Sequence, residues 1–245
     1  MNLSVREYKP TPELSSFIES YWIGTFNLSG QQNFSQNIVP NGCIELILHF
    51  SDDHCFLKKT GDSFNKSPYY TLLGVYSKPY IVKFSAPVNA MGIRFFPDGF
   101  RNIMGVPPGK FLATYEDGFD VVGKKLEEFW SQLRETKKQE EKLRMANDFF
   151  RQQLVQNQIQ MDKTHLAMQL IRNRSGLINF KELSEHVPTS LRNLQREFKN
   201  HYGITITDYI RLSRLNAINK QMMANPNRLT ELAYNLDFTD QSHFI

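Results

Sequence analysis

The segment LRNLQREFKNHY carries the most pointed chemistry in this 245-residue chain. Arg192, Gln195, Arg196 and Lys199 recur at i, i+3, i+4 and i+7, which is one stripe of an α-helix. Leu191, Leu194, Phe198 and Tyr202 recur at i, i+3, i+7 and i+11 and form the opposite, buried stripe. An arginine fork matches O6 and N7 of guanine, and Gln or Asn matches N6 and N7 of adenine. A helix with such an edge fits the DNA major groove, and Asn193 flanks the same face. The plain alternative is a solvated helix face with ordinary charge.

Other chemistries fare worse. Cys43, Glu45, His49, His54 and Cys55 fall within 13 positions and invite a metal reading. Strand residues two apart sit nearly 7 Å apart, and no ligand spacing repeats, so a polar outer face of a strand is expected instead. GVPPGKF, residues 105–111, is one residue short of a phosphate loop and lacks its hydroxyl residue. There is no G-x-S-x-G elbow and no H-E-x-x-H, and no nucleophile is paired with a base. His165, His186 and His201 read as structural. A non-enzyme without a cofactor or metal is expected.

The elements that must hold the polar edge are legible on either side of it. A helix spans roughly Lys163 to Arg174 and ends at Ser175-Gly176. Asn179, with Glu182 three residues on, forms a capping box for the next helix, whose apolar face is Phe180, Leu183 and Val187. Pro188 stops it, and Ser190 is the N-cap of the helix that carries the stripe. Gly203 ends that helix in a left-handed cap. Thr205 with Asp208 opens a longer helix of about 18 residues, a rod of roughly 27 Å. After Asn225-Pro226-Asn227, LTELAYNLDFTDQSHFI repeats the unit. Leu229, Leu232 and Ala233 face inward, the turn lies at Asp237-Phe238, and Thr239 caps a new helix. Two such units one rod apart could enter neighbouring major-groove segments, which recur roughly every 34 Å.

The front of the chain has another texture. Residues 1–122 hold 20 of the 31 aromatic residues. Leu14 to Trp22 reads as an opening helix. CIELILHF alternates, with Ile44, Leu46, Leu48 and Phe50 on one face and Cys43, Glu45 and His49 on the other, so it reads as a half-buried strand. Tyr69 to Val75, Tyr80 to Phe84 and Asn89 to Phe96 are further strands. From Gly123 the pattern turns helical, with stripes Leu126, Phe129, Trp130, Leu133 and then Leu143, Ala146, Phe150, Leu154. This connector either packs on the first domain or pairs with another copy. The expected organisation is α+β. A β-rich domain, a barrel or sandwich, covers 1–122, a helical connector 123–161, and an all-α domain 162–245.

Composition sets the bounds. Hydrophobic residues make up 40% and charged residues 22%, an ordinary soluble globular chain. Two cysteines exclude a disulfide-rich scaffold and a four-cysteine zinc site. Charge and proline interrupt MNLSVREYKP at once, so no signal peptide is read there. The longest apolar stretch is far too short to span a bilayer, so no membrane partner and a cytoplasmic location are expected. Residues 1–162 hold 18 Lys+Arg and 18 Asp+Glu, whereas residues 163–245 hold 11 and 7 and carry the whole net charge of +4. A neutral part joined to a basic part points to double-stranded DNA as a partner of the carboxyl-terminal module.

The stretches FKELSEHV, LRNLQREFKNHYG, DYIRLSRLNAI and LTELAYNLDFTDQSHF resemble the double helix-turn-helix domain of the AraC/XylS family of bacterial transcription regulators. DFTDQSHF is similar to that family's Gly-Phe-x-Asp-Gln-Ser-x-Phe signature. The resemblance implies a DNA-binding regulator. Arg192, Gln195 and Arg196 fall where the first unit reads bases. Thr239, Gln241, Ser242 and His243 fall where the second approaches DNA. From charge and position, Lys199, Arg211 and Arg214 are phosphate candidates. YKPTPELSSFIESYW, NIVPNGCIELILHF and GIRFFPDGFRNIMGVP resemble an amino-terminal domain that accompanies such modules. In the wider family these are cupin-like sensor barrels that bind a small-molecule effector or dimerise, which adds a small molecule, a homodimer and RNA polymerase to the implied partners. Two departures stand out. Asp237 replaces the signature glycine, and the chain reaches Ile245 only a turn or two into the second recognition helix. The rival expectation is therefore a ligand-binding or dimerising protein that acts through protein contacts, its DNA-binding module truncated and non-functional.

Overall fold

The computed structural model describes residues 2–27, 34–52, 55–59, 62–110, 115–159 and 161–224. The chain divides into two compact units, residues 1–39 with 43–160, and residues 40–42 with 161–245.

The first unit contains β1 (Asn2–Tyr8), β2 (Ile18–Asn27), β3 (Phe34–Ile38), β4 (Ile44–His49), β5 (Phe56–Lys59), β6 (Asn65–Lys66), β7 (Tyr70–Leu73), β8 (Tyr80–Phe84), β9 (Val88–Phe95) and β10 (Tyr115–Asp117). Its helices are α1 (Pro97–Met104), α2 (Gly118–Val122), α3 (Lys124–Glu135) and α4 (Gln139–Asn157). The strands form a six-stranded antiparallel sheet, β1-β2-β9-β4-β7-β10, and a four-stranded one, β3-β8-β5-β6. Trp22, Ile47, Leu73, Val88 and Ala90 of the larger sheet pack with Leu57, Tyr80, Val82 and Phe84 of the smaller. Helices cover the other face of the larger sheet. The Phe150 ring of α4 lies 6.2 Å from Tyr21 and 5.2 Å from Phe95, and Phe95 meets Phe100 of α1 at 5.5 Å. The β-rich, helix-flanked organisation is thus as expected, but the strands form two open sheets rather than a closed barrel.

Three local expectations are corrected. Leu14 to Trp22 is not a helix. Only a single 3-10 turn, Pro12–Leu14, precedes β2, which pairs with both β1 and β9. Leu14, Phe17, Ile18 and Tyr21 are all buried, so a strand covered on both faces mimics helical spacing. The 44–49 strand is not half-buried either. Every residue of β4 is buried, because helices cover one face and the second sheet covers the other. Finally, Glu45, His49 and Cys43 form no polar outer face. They are 4%, 2% and 2% exposed.

Glu45 and Arg94 are paired within the sheet. Glu45 Oε1 accepts from Trp22 Nε1 at 2.5 Å and from Arg94 Nε at 3.1 Å, and Arg94 also pairs with Glu7. Burial pulls the Arg94 guanidinium down, but Glu45 and Glu7 outweigh it and raise it above its ordinary value. Gly92 has no room for a side chain, since a Cβ there would lie 2.0 Å from the Trp22 ring. Among the described residues no group of three His, Cys, Asp or Glu is placed to hold a metal ion. His54 lies outside them. Burial pushes the Cys55 thiol up to about 11, so it is a neutral core group.

The helices after Gly123 belong to this unit. Trp130 Nε1 donates to the His49 carbonyl at 2.8 Å, and Arg134 pairs with Asp52 at 2.6 Å. Phe129 stacks on Phe149 at 4.1 Å. Lys142 of α4 is buried; its Nζ donates to the Leu133 carbonyl and lies 4.1 Å from the centre of the Phe50 ring. Burial lowers it to about 8.

The described residues of the second unit form α5 (Lys163–Asn173), α6 (Phe180–His186), α7 (Leu191–Tyr202) and α8 (Ile206–Ala224). Asp162 caps α5 by accepting from the Thr164 and His165 amides. Ala167, Met168 and Ile171 of α5, Leu183 of α6, Leu194, Phe198 and Tyr202 of α7, and Tyr209 and Ile210 of α8 are buried and form the core. Phe198 meets Tyr202 at 5.0 Å and Tyr209 at 5.9 Å.

Candidate nucleic-acid interface

The α6–α7 pair is held at its ends by the residues whose types demand it. Asn179 Oδ1 accepts from the Glu182 amide at 3.0 Å, and Glu182 Oε2 accepts from the Asn179 amide at 2.8 Å, a complete capping box. Val187 and Pro188 end α6, and Ser190 Oγ accepts from the Asn193 amide at the start of α7. Four residues separate the two helices. Gly203 ends α7 at φ +70°, a left-handed conformation that any Cβ would strain. Thr205 Oγ1 accepts from the Asp208 amide at 3.1 Å and starts α8.

With Leu194, Phe198 and Tyr202 turned into the core, the opposite side of α7 faces outward. Arg192, Gln195, Arg196 and Lys199 are all exposed. Arg196 Nη2 donates to Asn193 Oδ1 at 2.6 Å. Asn193 Nδ2 donates to Thr189 Oγ1 at 3.2 Å and to Glu197 Oε1 at 2.9 Å. Lys199 Nζ donates to the Gly203 carbonyl at 2.5 Å and so binds the end of its own helix. The edge is therefore cationic and donor-rich, with Glu197 as its one carboxylate within α7.

The other sequence-derived candidates are spread more widely. Arg211 of α8 is exposed and pairs with Asp208 at 3.9 Å. Arg214 is half-buried, and its Nε donates to the Gly176 carbonyl at 2.9 Å, which ties the turn after α5 to α8. Thr239, Gln241, Ser242 and His243 lie outside the described residues. The sequence reading missed Thr189 and Glu197. Their i−4 and i+4 spacing about Asn193 was the available signal. Of the three helical histidines, His165 is buried, His186 Nδ1 lies 2.8 Å from the Glu182 carbonyl, and His201 Nδ1 lies 3.0 Å from Thr164 Oγ1 and 3.6 Å from Asp162.

Known proteins share both parts. Residues 183–245 match a family model described as a helix-turn-helix domain, and residues 6–117 match one described as a domain of unknown function (DUF6597). The HTH-type transcriptional activator RhaS of Yersinia pestis is 30% identical over 168 residues, covering 60% of this chain and 61% of that protein. RhaS of Yersinia pseudotuberculosis matches to the same extent. The chain thus spans about 61% of the length of the curated relatives it matches. Among solved structures, ToxT from Vibrio cholerae superposes with a TM-score of 0.51 at 14% identity, over 92% of this chain and 91% of that one. ToxT bound to (E)-4-(8-methylnaphthalen-1-yl)but-3-enoic acid gives 0.50 at 13% identity, over 91% and 92%. These superpositions show a shared fold. Among the described residues no helix is long and apolar enough to cross a membrane.

Proposed function

We propose that the chain is a bacterial DNA-binding transcription regulator of the AraC/XylS type, a reading supported by the helix-turn-helix match over residues 183–245 and by the 30% identity to RhaS. The carrying observation is the edge of α7, where Arg192, Gln195, Arg196 and Lys199 stand exposed while Leu194, Phe198 and Tyr202 opposite them are buried. In this reading α7 lies in the major groove. Arg192, Gln195 and Arg196 address base edges with Asn193 beside them, and Lys199, Arg211 and Arg214 address phosphates. By the family resemblance, Thr239, Gln241, Ser242 and His243 address DNA from the second helix-turn-helix. Residues 162–245 are the DNA-binding domain, residues 1–122 a sensor or dimerisation domain, and residues 123–161 the connector. The relatives' description as transcriptional activators supports this and does not favour a purely protein-contacting module. It also accords with a non-enzyme of cytoplasmic location.

The sensor reading draws on the first unit, which takes a small-molecule effector. The ToxT structure that holds a small organic acid shares its overall fold and supports this. A homodimer and RNA polymerase complete the proposed partners. Selection of bound fragments from genomic DNA by the full chain, with and without a panel of small metabolites, tests the reading. Enrichment of a shared sequence, altered by one metabolite, is expected. Fragments retained only in proportion to their abundance under every condition would overturn it.

A further inference from the structure

We propose that Asn193 is a positioning residue that aligns Arg196, rather than a reader of bases. The proposal rests on α7 being the DNA-reading helix. To read adenine, an Asn amide must give one hydrogen to N7 and accept from N6. The Asn193 amide has two hydrogens, and both are taken, one by Thr189 Oγ1 at 3.2 Å and one by Glu197 Oε1 at 2.9 Å. Its oxygen accepts from Arg196 Nη2 at 2.6 Å. Chemistry fixes the amide's orientation. A flipped amide would set its NH₂ against the guanidinium and its oxygen against the Glu197 carboxylate, where neither bond could form.

Glu197 stands one turn beyond Asn193 on α7, and Thr189 lies in the turn just before the Ser190 cap, so the amide has a partner on either side. Glu197 and Thr189 hold the amide plane from either side, and the amide holds one terminal nitrogen of Arg196. A guanidinium has five N–H groups, so a second terminal nitrogen remains for guanine O6 and N7. The arginine therefore meets DNA already oriented, and less rotamer freedom is lost on binding. Glu197 also explains its own place on a cationic edge. It costs phosphate attraction and supplies an acceptor that Asn193 needs.

The test uses the full chain and a randomised duplex library. The wild type first selects a preferred duplex, and each guanine is then replaced in turn by 7-deazaguanine, which lacks the N7 acceptor. Wild type should lose affinity sharply at one guanine, and Arg196→Ala should abolish the sensitivity at that guanine alone. Asn193→Ala should weaken the preferred duplex by about 3- to 10-fold and blunt the same sensitivity. Its affinity for a scrambled duplex, the salt slope of that binding and the thermal midpoint should stay at the wild-type values. Glu197→Ala should blunt the same guanine sensitivity, while the loss of its negative charge raises affinity for the scrambled duplex. Glu197→Gln keeps the acceptor and should restore the sensitivity, which a merely structural role would not predict. Full retention of the guanine sensitivity in Asn193→Ala overturns the positioning role while leaving the DNA reading intact. Failure of the wild type to select any duplex overturns both.

Discussion

Truncating Arg196 to alanine removes a guanidinium on α7 that the protein itself holds in place. Arg196→Ala should weaken binding to the preferred site by about 1–3 kcal/mol, and a gel-shift titration at fixed salt measures it. Lys142 makes a separate residue-scale point about stability. Its ammonium is buried against Phe50 and lowered to about 8, below its usual 10.5. The native state then holds fewer protons than the unfolded chain between these values, so stability should rise as pH climbs from about 8 to 10.5. Lys142→Met should remove that rise and raise the melting midpoint at pH 7 by about 2–4 °C, roughly 1 kcal/mol at this size. Calorimetry across that pH window reads both effects. At this scale the exposed stripe of α7 was legible because polar and apolar residues separate cleanly at helical spacing. The bonds of Asn193 were not. Nothing in the residue type says whether an amide faces a ligand or its own neighbours at i−4 and i+4.

Capping residues fix where the elements of the second unit begin and end, and this is where sequence and structure agree most closely. Asn179, Glu182, Ser190 and Gly203 each have a local role that short-range geometry alone dictates. Asn179→Ala should cost about 0.5–2 kcal/mol, since it removes the Oδ1 that accepts from the Glu182 amide, while the backbone amide at 179 can still donate to Glu182 Oε2. Gly203→Ala places a Cβ at φ +70° and should cost about 1–2 kcal/mol. Denaturant titrations followed by helical circular dichroism check both. The strands were harder to read. Leu14 to Trp22 reads as helix and β4 as a half-solvated strand for one reason. The larger sheet is covered on both faces, so the apolar residues of β2 need not alternate, and the alternation that β4 does show marks no wet side, since Glu45 and His49 are buried too. Likewise, whether ten short strands close into a barrel or split into two sheets depends on pairings between distant residues, which no local pattern encodes.

Across the whole molecule, charge is the property that sequence displays best. The neutral front and the basic back are countable, and their functional meaning is a salt dependence. Affinity for duplex DNA should fall linearly on a log–log plot against salt. Arg211 is exposed and pairs with Asp208 at 3.9 Å. Arg211→Ala should reduce the slope by about 1 and leave the preferred sequence unchanged. Anisotropy titrations at several salt concentrations measure this. The packing of α3 and α4 into the first unit could not be chosen from sequence, because an apolar stripe serves equally well for a sheet of the same chain or for a second copy.

The central claim is that the outward edge of α7 reads DNA. The most direct measurement is duplex selection by the full chain, run side by side with Arg192→Ala/Gln195→Ala/Arg196→Ala, a triple variant that leaves the buried stripe untouched. The account predicts that the wild type enriches a defined sequence and that the equally folded variant enriches none. Enrichment of the same sequence by the variant, with unchanged affinity, would contradict it.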